Sequence, residues 1–138
     1  MLKSLRVNNL AIVQEAVLEL EAGLNVITGE TGAGKSIVAG ALTLLLGARA
    51  DKSLIRSGEE SCTAEAVFEL KNSGTIDGIL TEAGLEPCEE GQLVLRRMIS
   101  ASGSGRIWIN DNNASVQTLK RVGTHLVDMH GPHDHQSL

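Results

Sequence analysis

Gly29-Glu30-Thr31-Gly32-Ala33-Gly34-Lys35-Ser36 meets the pattern GxxxxGK[ST] at every fixed position. A loop of this kind curls its backbone around phosphates with the N–H groups turned inward, a concave path that glycine tolerates and most residues do not. Gly29, Gly32 and Gly34 supply that freedom. A helix starting at the end of the loop aims its positive end at the phosphates. Lys35 is then suited to the β- and γ-phosphates, and the Ser36 hydroxyl to a magnesium ion. The expected ligand is ATP with Mg2+, and the expected nucleotide-binding set is Gly29, Glu30, Thr31, Gly32, Ala33, Gly34, Lys35 and Ser36. The plain alternative is a chance glycine-rich turn capping a helix. It fails to explain why all fixed positions match between a strand pattern and a helix pattern.

Those flanking elements are legible. Leu24-Asn25-Val26-Ile27-Thr28 is a short apolar strand running into the loop, and Ile37, Ala41, Leu44 and Leu45 fall at helical spacing after it, with Gly47 placed to end the helix. Upstream, residues 2–13 and 16–20 alternate with period two and read as a hairpin. Downstream, 62–70 alternates as a strand, and 75–83 reads as a short helix closed by Gly84 and Pro87. Residues 93–100 and 106–110 form a hairpin across Ala101-Ser102-Gly103-Ser104-Gly105. Ser115 is placed to cap a helix with Val116, Leu119 and Val122 on its apolar face, and Leu126-Val127-Asp128 reads as one more short strand. The expected fold class is α/β, a P-loop lobe with a mixed sheet and a hairpin-rich part, in one domain spanning residues 1–138.

Composition excludes several functions. With 42% hydrophobic and 21% charged residues, neither a disordered chain nor a membrane protein is indicated. The apolar stretch 37–48 is broken by Gly40 and Thr43 and falls short of the ~20 residues that span a bilayer. No signal peptide is recognisable at the N-terminus, so a cytoplasmic location is expected. Cys62 and Cys88 have no paired spacing and are expected to be free thiols. A net charge of −5, one Trp, one Phe and no Tyr leave little for phosphate neutralisation or base stacking, so DNA contact is expected only through a larger assembly.

Longer stretches carry a resemblance. LNVITGETGAGKS at 24–36, LLLGARAD at 44–51, LIRSG at 54–58, Leu95-Arg96-Arg97, Ile109-Asn110, LVDMHG at 126–131 and HDHQSL at 133–138 resemble the N-terminal part of the RecN family of bacterial DNA repair proteins. These are SMC-like ATPases related to ABC-type ATPase heads. The resemblance covers essentially the whole chain. It implies the N-terminal lobe of a two-lobed ATPase head acting in double-strand break repair and recombination, nucleoid-associated, with a coiled-coil arm and a second lobe elsewhere. It further implies that the signature motif, the Walker B aspartate and the catalytic glutamate lie on that second lobe. The expected partners are this missing lobe, a second head joined through ATP, and DNA through the full assembly, with no membrane. The fragment alone is expected to bind ATP without hydrolysing it.

The resemblance also nominates Arg56 at the phosphates, against the plain reading of a solvated loop arginine. It nominates Asn9 on the adenine side, although Leu10 stands where the family has phenylalanine. Gln136 is a candidate for the metal or the attacking water, because Pro132 replaces the family's first glutamine and offers no side-chain hydrogen bond. His130, His133, His135 and Asp134 could form a metal site, but their spacing matches no metal motif and the loop reading covers them better. Two other functions compete. Asp128-Met129-His130-Gly131 fits DxxG after an apolar strand, as in a stand-alone P-loop GTPase, although the base-reading NKxD motif is absent. A non-hydrolysing module that dimerises around nucleotide is the other.

Overall fold

The computed structural model describes residues 2–19, 25–26 and 31–130. Strands β1 (Leu2–Leu10) and β2 (Val13–Glu19) form a hairpin as expected, but with its turn at 11–12 rather than 14–15, so that Val13 opens the second strand; β3 (Asn25–Val26) and helix α1 (Thr31–Leu45) follow. A short 3-10 turn (Lys52–Leu54) leads to β4 (Ser61–Glu69), α2 (Gly74–Glu82), β5 (Gln92–Ser100), β6 (Gly105–Ile109), β7 (Asn112–Asn113) and α3 (Val116–His130). The seven strands make one sheet in the order β3-β2-β1-β4-β5-β6-β7. In place of the mixed sheet expected, every strand pair among the described residues is antiparallel. The connections explain part of this. Ala11-Ile12 and Asn110-Asp111 are two-residue hairpin loops, and Asn110 and Asp111 both have positive φ (50° and 68°), as a type I′ turn requires.

Alternation along the strands puts one face of the sheet under the helices. Leu5 and Val7 on β1 pair with Ala66 and Ala64 on β4, which pair in turn with Leu95 and Arg97 on β5. Ala64 and Ala66 are small where α1 packs on β4, and Ile37, Ala41, Leu44 and Leu45 of that helix enter the same core as Phe68, Ile76, Leu80, Leu119 and Val122. The other face is polar and half-exposed; there Arg96 lies over the Trp108 ring, 4.8 Å from its centroid.

Helix α1 ends in a complete Schellman turn. Gly47 has φ +105°, its N–H donates to Leu44 O (3.2 Å), and the Ala48 N–H donates to Thr43 O (3.2 Å). Ser115 caps α3 as expected, its hydroxyl accepting from the Thr118 N–H at 3.1 Å. The expected strand at 126–128 is instead the last part of α3. Buried Leu119, Val122 and Leu126 continue one helical stripe while Val127 is 49% exposed, and a three-residue apolar run cannot by itself distinguish the two periods.

Candidate nucleotide-binding site

Gly29 and Glu30 lie outside the described residues. Thr31 to Ser36 form the first turns of α1, with only their backbone described. Starting the helix at Thr31 leaves the first-turn N–H groups without intrahelical partners. No acidic residue sits in that first turn to compete for them. Free amides at a positive helix end are chemistry that suits an anion, although the helix begins at Thr31, inside the motif, rather than at the end of the loop as the sequence predicts.

Asn9 and Arg56 are brought together. The Arg56 N–H donates to Asn9 O (2.8 Å), the Ala11 N–H donates to Leu54 O (2.6 Å), and Leu10 bridges Ile55. Asn9 has φ +56°, a conformation asparagine tolerates better than most residues, and this places its carbonyl on the 54–56 segment. The segment is itself set by Asp51, which accepts the Ser53 N–H at 2.9 Å; that hydrogen bond holds the carboxyl below its usual pKa. The Arg56 guanidinium lies 3.6 Å from Glu59, while its backbone N–H makes the bond to Asn9. Gln136, Pro132, His133, Asp134 and His135 lie outside the described residues, as does the side chain of His130. The strand that would precede a GTPase DxxG motif is helical, so the Asp128 motif loses its structural context.

Sequence reasoning missed Arg97. It is 6% exposed, and its Nη1 donates to Leu44 O (2.8 Å) and Ala48 O (2.6 Å) at the end of α1. Burial lowers its pKa. The signal was present: Leu93, Leu95, Arg97 and Ile99 alternate, so Arg97 is placed on the apolar face and Arg96 on the open one.

A family model described as an AAA domain matches residues 4–119. The chain belongs to the AAA domain family. Membership carries nucleotide binding with it. The chain is also similar along its whole length to the DNA repair protein RecN of Bacillus subtilis, at 39% identity over 138 residues, and to that of Vibrio cholerae, at 43% over 141. It spans about a quarter of the length of these relatives, 24% of each. Among solved structures, one from work on ATP-driven dimerization and DNA-stimulated activation of SMC ATPases superposes with a TM-score of 0.66 at 20% identity. It covers 97% of this chain and 82% of that one. The SMC head domain from Thermotoga maritima gives 0.58 at 16% identity, covering 87% of this chain and 41% of that one. The recombination mediator RecF with ATP gives 0.62 at 20%, covering 86% and 30%. The α/β P-loop fold of SMC-type heads is therefore shared. Among the described residues no helix is long and apolar enough to cross a membrane.

Proposed function

We propose that this chain is the N-terminal ATP-binding lobe of an SMC-like ATPase acting in DNA double-strand break repair and recombination. The observation that carries the reading is the complete GxxxxGK[ST] motif that follows β3 and runs into the first turns of α1, in a chain 39% identical to RecN over 138 residues. In this reading the amides of Gly29 to Ser36 hold the phosphates of ATP, Lys35 neutralises the β- and γ-phosphates, and Ser36 ligates magnesium. Bound magnesium supplies charge neutralisation on the phosphates. Arg56 is assigned to the phosphates, Asn9 to the adenine side, and Gln136 to the metal or the attacking water. Turnover requires groups of the second lobe and a second head, so this chain binds ATP and stops; DNA is engaged by the assembly, at the nucleoid.

The test is a thermal melt with and without MgATP. At ~100 times its dissociation constant, ATP stabilises the folded state by about 2.7 kcal/mol, on the order of 10 °C for a chain of this size. Lys35→Ala removes most of that shift. A melt indifferent to MgATP at concentrations up to millimolar, or an equal response in Lys35→Ala, refutes the assignment. Steady hydrolysis by this chain alone, lost in Lys35→Ala, would instead favour a self-contained NTPase.

A further inference from the structure

Arg97 sits on β5, an interior strand paired on both sides by β4 and β6. The residue is 6% exposed, its guanidinium cannot shed its proton at any ordinary pH, and among the described residues it pairs with no carboxylate. A buried cation of this kind is costly unless something in the fold answers its charge. What answers it is the negative end of α1. Leu44 O and Ala48 O converge on one nitrogen, Nη1, and Leu44 O also accepts the Gly47 N–H of the Schellman turn. The same helix end is held from the side by α3. A Cβ on Gly123 would run into the Leu46 carbonyl, and a Cβ on Gly47 would lie 2.9 Å from Lys120 Cα. The end of α1 is thus fixed along its axis by β5 and laterally by α3.

The opposite end of α1 is the phosphate loop. Fifteen helical residues make a stiff rod of roughly 22 Å, so an axial slip or rotation allowed at Leu44 is delivered at Thr31 to Ser36. A phosphate cradle works only when its donors are held to about 0.5 Å. We infer that Arg97 is a positioning residue for the nucleotide site, setting the axial position of the P-loop helix from its far end without touching the ligand. This rests on the reading of Gly29 to Ser36 as an ATP site.

The experiment measures MgATP dissociation constants by calorimetry, together with apo melting temperatures, for the parent chain, Lys35→Ala, Arg97→Met, Arg97→Lys and Phe68→Leu. Arg97→Met fills the volume without the charge, and its affinity is expected to fall about tenfold. Arg97→Lys, which keeps a cation and donors, stays within about threefold of the parent. Phe68→Leu destabilises the core away from the helix end and leaves affinity unchanged, separating positioning from general loss of stability. Should Arg97→Met fail to fold, Arg97→Gln carries the same comparison. Parent-like affinity in Arg97→Met or Arg97→Gln overturns the inference while leaving the ATP site standing. Affinity loss that tracks melting temperature equally in Phe68→Leu also overturns it. Absence of MgATP binding by the parent defeats the ATP-site reading itself, and this inference with it.

Discussion

Gly123→Ala tests the packing of α1 against α3 most sharply, because two effects of opposite sign compete. In an open helix interior, replacing glycine by alanine stabilises by up to about 1 kcal/mol, through helix propensity and a less flexible unfolded chain. At Gly123 the new methyl meets the Leu46 carbonyl, with the Leu46 carbonyl carbon and Cα each 2.9 Å away. All of these are backbone atoms and cannot rotate aside. Overpacking of a close-packed core costs about 1–3 kcal/mol, and rigid neighbours place this site at the upper end. The net is about 2 kcal/mol of destabilisation after the propensity gain is deducted, a fall in melting temperature of several degrees. Gly78→Ala in α2 is the control, since a Cβ there meets nothing within 4 Å; it is expected to stabilise by about 0.5–1 kcal/mol. Urea unfolding of the parent and both variants, compared at constant m-value, reads the two effects directly. If Gly123→Ala stabilises as Gly78→Ala does, the close approach of α3 to the end of the P-loop helix is wrong, and the lateral clamp on that helix with it.

Three further outcomes follow from particular residues. Ser115→Ala removes the hydroxyl that accepts the Thr118 N–H and should cost about 1 kcal/mol in urea unfolding; an unchanged midpoint would mean the cap contributes nothing to α3. Burial chiefly, with Asp77 nearby, pushes the Cys88 thiol up to about 11 from 9.0. Because the folded pKa is the higher one, its contribution to stability is complete below pH 9 and is lost as pH rises through 11. A difference curve of unfolding midpoint against pH for the parent and Cys88→Ala should bend in that window, and a flat curve refutes the shift. Alkylation of Cys62 and Cys88 in the folded chain at pH 8 should be slow, since burial raises both thiols; rapid labelling of either contradicts their placement.

Features that depend on a few consecutive residues could be read without a fold. The P-loop pattern, the β1–β2 hairpin, Gly47 as the end of α1 and Ser115 as the cap of α3 are set by glycine's access to positive φ, by hydroxyl capping and by local periodicity. What needed the tertiary structure depends on which surfaces meet. That β1 lies between β2 and β4, with all pairs antiparallel, is a matter of long-range strand pairing that no local pattern encodes. The 126–128 run became helix because Leu126 continues the buried stripe of Leu119 and Val122, and burial against the core outweighs a three-residue propensity. Asn9 and Arg56 are 47 positions apart and are joined by a backbone hydrogen bond. The alternation of Leu93, Leu95, Arg97 and Ile99 puts Arg97 on the apolar face but names no partner for its charge. Only when α1 crosses the sheet do the carbonyls of Leu44 and Ala48 arrive beside it, and only that arrival makes a buried arginine tenable.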